Sequence, residues 1–255
     1  MTTTVKEILG DGLKAFWRGA DLTAGDGNAI ASWIDCENGL AMAQAVGSKQ
    51  PIHRTDYASS GYPAAEFDGV DDFLSVDDPM LDVTKFAFLC AVKQATAGTA
   101  DTVYAVGASS YCRMMANSSN IGDFRIQNGS ISTSGAASGS SGINVVAGRC
   151  QGDGYMWIQN GPATAQRVGD VTINADSEHF MGARGGTVQF FDGGILAFAF
   201  IDLQLVGWYK VVEAAVQMEQ DFGLTLHDQL PTAVGGAESP VPVAYVSHPM
   251  PGDFR

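Results

Sequence analysis

Short runs of β-branched and aromatic residues, broken at close intervals by Gly, Asn, Asp and Ser, recur through most of this 255-residue chain. No other feature restricts its fold so tightly. Clear examples are Phe86–Val92, Thr102–Val106, Phe124–Gln127, Ile143–Ala147, Tyr155–Gln159 and Ile195–Ile201. Strands of this length with turn residues between them are the mark of a sandwich or barrel. Gln151-Gly152-Asp153-Gly154, lying between two such runs, predicts a hairpin, because Asp-Gly accepts the positive φ of tight turns. The 31 glycines and a charged fraction of 16% suit a turn-rich sheet protein, and a hydrophobic fraction of 45% supplies one large core.

One segment has a different period. Trp208, Val211, Ala215, Met218 and Phe222 form a single apolar stripe at helical spacing, with Gly223 where a C-terminal cap belongs. An amphipathic helix over 205–222 is expected to close the sheet structure and to carry no chemistry. Gly129–Gly142 is rich in Ser and Gly and predicts a mobile surface loop. Residues 1–12 read as a lead-in and 13–226 as the sandwich. Residues 227–255, with prolines at 231, 240, 242, 249 and 251, read as an extended Pro-rich arm. Val241, Val243, Tyr245 and Phe254 are the arm's candidate partner contacts.

Charge narrows the partners. Twenty-eight acids against 14 bases give a net charge of −14, and the bases are scattered. Nucleic-acid binding and polybasic membrane attachment both need clustered Lys and Arg, so neither is expected. No run of apolar residues reaches membrane-spanning length, so no membrane insertion is expected. Met1–Asp11 lacks a basic n-region and an apolar h-region, which predicts synthesis in the cytoplasm without a signal peptide. Cys36, Cys90, Cys112 and Cys150 show no metal or redox spacing and read as small thiols.

Two blocks resemble a known family. Ser32-Trp33-Ile34-Asp35 with Asn38-Gly39 leads to Pro63-Ala64-Ala65-Glu66-Phe67-Asp68-Gly69-Val70-Asp71-Asp72-Phe73-Leu74. Met181-Gly182-Ala183-Arg184-Gly185-Gly186 leads to Phe190-Phe191-Asp192-Gly193-Gly194-Ile195, a strand, and a helix ending Asp221-Phe222-Gly223-Leu224. In order and separation these are similar to the opening and closing signatures of laminin-G-like jelly-roll domains in the concanavalin A-like superfamily. They bracket residues of roughly 13 to 226. The resemblance implies an all-β, antiparallel jelly-roll sandwich with one C-terminal helix and an extended tail. Val206 departs from the family's helix-capping Ser, and the Asn38-Gly39 segment is one residue shorter. Within the first block, Phe67 and Asp68 should face opposite sides of a strand, Gly69 should let the chain reverse, and Asp71 and Asp72 should accept from turn amides.

Glu66, Asp68 and Asp71 approach the E-x-D-x-x-E spacing of some glycoside hydrolases in that superfamily. The third acid is shorter and follows a Gly that bends the strand, so catalysis is not expected. His53, His179, His227 and His248 are isolated, and no serine-nucleophile elbow or phosphate loop occurs. No cofactor is expected; were calcium bound, Asp35, Asp71 and Asp72 would be its ligands. For a sugar, Tyr57, Tyr62 and Tyr111 are candidate stacking rings, with Arg113 as a polar neighbour. The face on which Trp157 lies stays open.

Together these readings point to a non-catalytic surface or adhesion component of a phage-like particle: a head spike, fibre or decoration protein that binds cell-surface polysaccharide. It would contact other particle proteins through its arm and form a homo-oligomer. The alternatives are a purely structural virion subunit without a glycan site and, third, a glycoside hydrolase.

Overall fold

The computed structural model describes residues 4–83, 85–96, 101–107, 112–116, 124–128, 131–134, 142–150, 156–158 and 178–224. The arm (227–255), Tyr111 and the turn 151–154 lie outside the described residues.

The strands are β1 (Leu13–Arg18), β2 (Ser32–Ile34), β3 (Ala41–Ala43), β4 (Ile52–Arg54), β5 (Ala64–Asp68), β6 (Leu74–Val76), β7 (Phe86–Gln94) and β8 (Asp101–Val106). They continue as β9 (Cys112–Ala116), β10 (Phe124–Asn128), β11 (Ile131–Ser134), β12 (Asn144–Cys150), β13 (Met156–Ile158), β14 (His179–Met181) and β15 (Asp192–Asp202). Two helices, α1 (Val5–Leu9) and α2 (Trp208–Asp221), flank the series. A seven-stranded sheet runs β13-β12-β7-β15-β5-β4, with β1 also paired to β15. An eight-stranded sheet runs β11-β10-β9-β8-β14-β6-β3-β2. Every pairing is antiparallel, so the expected sandwich is the fold found. The β12–β13 pairing agrees with the hairpin expected around 151–154.

Two apolar layers follow from strand alternation. Phe67, Phe88, Tyr104, Phe198 and Phe200 fill the space between the sheets. The other face of the seven-stranded sheet buries Leu89, Ala199 and Ile201 against Val5 and Leu9 of α1 and Val211, Ala215 and Met218 of α2. The protein is therefore three layers deep on that side. The α2 stripe packs as its spacing predicts, with Trp208 and Phe222 half-buried at its ends.

The helix begins at Trp208 instead of 205, capped by Gly207 with no side-chain bond, so the departure at Val206 changes no cap. It ends in a Schellman turn: Gly223 N–H donates to the Gln220 carbonyl at 3.0 Å and Leu224 N–H to that of Glu219 at 2.9 Å. Two other expectations change. The lead-in is part of the domain, since Thr4 and Glu7 form a reciprocal capping box that starts α1 and its apolar face packs on α2. The Ser/Gly-rich stretch 129–142 contains β11, which pairs with β10, because Ile131 and Thr133 suit a pleated ladder.

The two sequence signatures meet in space. β5 pairs with the start of β15, Phe67 opposite Gly193 and Asp68 opposite Asp192. Gly182, at φ +86°, lies so close to the Phe67 ring that a Cβ there would sit 2.3 Å from it. Gly186 makes the same accommodation for Phe73, at 3.0 Å. The glycines of one block are thus seats for the phenylalanines of the other.

Candidate functional site

Asp35 is a structural acid. Its Oδ1 accepts from the Glu37 and Asn38 amides at 2.8 and 3.0 Å and its Oδ2 accepts from Leu40, which folds the 35–40 turn beneath buried Trp33. Asp68, Asp71 and Asp72, by contrast, bring carboxylate oxygens within 4.8 Å of one another. The calcium set expected from sequence is therefore divided: Asp71 and Asp72 come together with Asp68, and Asp35 stands outside that group. Turn capping is also shared differently from expectation. Asp68 Oδ1 accepts from Val70 and Asp71 at 2.8 and 3.3 Å, and Asp72 Oδ2 accepts from the Asp68 amide at 3.1 Å. Burial, reinforced by the Asp68 carboxylate, pushes Asp72 up to about 7. Glu66 faces away from the inter-sheet core and is held by Arg54 at 2.5 Å. Its carboxylate serves as that guanidinium's partner.

The candidate sugar residues are also divided. The Tyr57 ring is buried against Gly194, at 4% exposure, and offers no face to solvent. Arg113 alternates with core Met114 along β9, so it lies on the outer face of the eight-stranded sheet, where its guanidinium donates to Gln189. Tyr62 is on the opposite side of the molecule, in the loop that joins it to Tyr57, whose N–H donates to the Tyr62 carbonyl at 3.0 Å. Tyr57, Tyr62 and Arg113 therefore do not form one site. Tyr111 and the arm residues Val241, Val243, Tyr245 and Phe254 lie outside the described residues, as do the side chain and facing of Trp157.

Tyr62 opens on a cavity. A groove of about 480 Å³ runs between α1, the C-terminal end of α2 and β1. That volume is within the range of about 300–1,000 Å³ usual for small-molecule sites. Phe16, Leu196, Ala197 and Met218 form its buried floor. Tyr62 and Phe222 make one wall, edge to face with ring centroids 4.9 Å apart. Lys6, Arg18, Glu37 and Asp221 stand on its rim, and exposed Cys36 opens onto it. Partial desolvation at the edge of the groove, with the nearby Glu37 carboxylate, raises the Cys36 thiol to about 11, with Arg18 opposing them. Tyr62 apart, sequence reasoning missed these residues because they come from widely separated segments, each unremarkable alone. The one available signal was Tyr62 beside Pro63, ahead of a strand.

No family model matches the chain, and no curated protein sequence matches it. Solved structures do. A Trypanosoma rangeli sialidase in complex with sialic acid aligns with TM-score 0.55 and 10% identity over 84% of this chain. This chain spans about a third of that protein, 34% of its length. Domain 4 of AbnA, a GH43 extracellular arabinanase from Geobacillus stearothermophilus, in complex with arabinotriose, aligns with TM-score 0.51 and 14% identity. That match covers 74% of this chain and 92% of the domain. At these identities the shared property is the β-sandwich.

Proposed function

We propose that this protein is a non-catalytic carbohydrate-binding domain that holds a cell-surface polysaccharide in the groove beside Tyr62. The observation that carries the reading is the groove itself: an apolar, aromatic-walled channel of about 480 Å³ with charged groups confined to its rim. Sugars match such a surface, since their C–H faces pack on rings while their hydroxyls meet a polar edge. The near-complete coverage of an arabinanase domain solved with arabinotriose supports a sugar as the ligand class. Catalysis is left out because Glu66 is tied to Arg54 and Asp68 is occupied with its own turn.

The setting proposed is the surface of a phage-like particle, as a head spike, fibre or decoration protein. The Pro-rich segment 227–255, following a closed sandwich, would be its attachment to neighbouring subunits. A glycan array combined with pull-down on isolated capsule or wall polysaccharide tests the ligand. Retention of the full chain on one polysaccharide class is expected, and silence across a broad panel overturns the reading. A second reading is a structural subunit without a sugar site, which would use exposed apolar side chains such as Ile34, Val46, Leu205 and Tyr209 in its contacts. Under it, removing residues 228–255 abolishes particle incorporation and no glycan is bound by either form.

A further inference from the structure

Resting on the carbohydrate reading above, we propose that the groove selects neutral sugars bearing an apolar substituent, a 6-deoxy methyl or an acetamido methyl. It discriminates against sialylated and other anionic glycans. The floor decides the first half. Phe16, Leu196, Ala197 and Met218 present an apolar surface whose one heteroatom, the Met218 thioether sulfur, is only a weak acceptor, and each is at least nine-tenths buried. A hydroxyl turned onto that floor loses water and gains no partner, whereas a methyl gains contact and burial. The aromatic wall of Tyr62 and Phe222 extends the same preference to the C–H face of the ring.

The rim decides the second half. Two cations, Lys6 and Arg18, and two anions, Glu37 and Asp221, line the groove. Both cations are already engaged. Lys6 Nζ lies 2.5 Å from Glu37 Oε2, and Arg18 grips Asp21 through two bonds of 2.6 and 2.9 Å. A ligand carboxylate would have to break one of these pairs while facing Glu37, Asp21 and Asp221, in a chain whose net charge is −14. A neutral sugar meets no such opposition. The carboxylates of Glu37 and Asp221 can accept from its hydroxyls or from an acetamido N–H. The sialidase neighbour thus shares a fold with this chain but would not share its ligand.

Cys36 supplies a reporter at the right place. Alkylation of the full chain by iodoacetamide at mildly alkaline pH is followed by peptide mass spectrometry, so that the Cys36 peptide is read separately from the other cysteines. The ligands are N-acetylglucosamine and rhamnose oligosaccharides, arabinose and glucose oligosaccharides, and sialyllactose, with calorimetric titration in parallel. The acetamido or deoxy sugars are expected to slow Cys36 alkylation about tenfold at concentrations where sialyllactose does nothing. Tyr62→Ala should weaken binding by about tenfold or more. Glu37→Gln, which releases Lys6, should raise affinity for sialyllactose relative to wild type. Heat released by a sugar without Cys36 protection, or a preference for sialyllactose in the wild type, overturns this inference and leaves carbohydrate binding standing. No binding by either method to any of the sugars removes both.

Discussion

Two buried ionisable side chains pull the protein's stability in opposite directions over the same acidic range. Asp72, raised to about 7 by burial and by Asp68, binds a proton on folding. Its contribution is complete below the ordinary aspartate value and is lost as pH rises toward 7. His179 is wholly buried, packs edge-on to Phe200, and shares a 2.5 Å hydrogen bond with the Tyr104 hydroxyl. Burial lowers it to about 4, so its contribution is present above the ordinary histidine value of 6.5 and is lost as pH falls toward 4. Between pH 4 and 6.5 the two slopes partly cancel. Urea unfolding at half-unit pH steps should therefore show a steeper rise with pH for Asp72→Asn than for wild type. For His179→Gln the slope should turn downward. The expected swings are about 2–4 kcal/mol for Asp72 and about 3 kcal/mol for His179. Parallel profiles for all three proteins would dismiss the assignment.

The elements show how much was legible in the chain and why. The longer strands, such as β7, β8, β12 and β15, and α2 were readable because each announces itself locally, by a β-rich run or by a helical stripe. The signature blocks were readable too, but their reason was not. Gly182 is required because the Phe67 ring occupies the space of its missing side chain and because φ is +86°. Gly182→Ala combines backbone strain with overpacking and should cost about 2–5 kcal/mol in chemical denaturation, while Gly223→Ala at the end of α2 should cost about 1 kcal/mol. A loss of under 1 kcal/mol for Gly182→Ala would mean the Phe67 ring can move aside. α1 was missed because five residues carry too little periodicity to register. Its stability comes from burying Val5 and Leu9 on α2, so Leu9→Ala should cost about 2–5 kcal/mol despite lying outside the sheets. The groove was the least legible feature, since a cavity between α1, β1 and α2 exists only once residues near 6, 18, 37, 62 and 221 are folded together.

At the scale of the whole molecule, the sheets are joined by more than apolar packing. The indole N–H of Trp17, on β1, donates to the Trp33 carbonyl on β2 at 3.0 Å, and the indole N–H of Trp33 donates to the Arg18 carbonyl at 3.1 Å. This reciprocal pair ties one sheet to the other and occupies a backbone acceptor of an edge strand, where unpaired groups invite association. Trp17→Phe removes one buried hydrogen bond and part of the indole's packing, at an expected cost of about 1–3 kcal/mol. The cysteines report on the same closure. Cys90 lies wholly buried between the sheets, where burial raises its thiol far above the ordinary range, while Cys36 is open to solvent. Labelling of Cys90 should track global unfolding across a denaturant series, and labelling as fast as Cys36 in native buffer would show that the sandwich opens.

The placement of β1 also constrains how the protein is made. β15 holds β5 along its first half and β1 along its second, with β7 on its other side, and Arg18 pairs with Ala197. β1, which is translated before the other described strands, therefore finds its partner only after about 180 further residues are translated, on the order of 10–40 s at ordinary elongation rates. Throughout that interval the apolar face of β1, Trp17 included, has no native neighbour in its own sheet. A nascent chain halted before residue 192 should accordingly recruit holdase chaperones and resist release as soluble protein, and one halted after α2 should not.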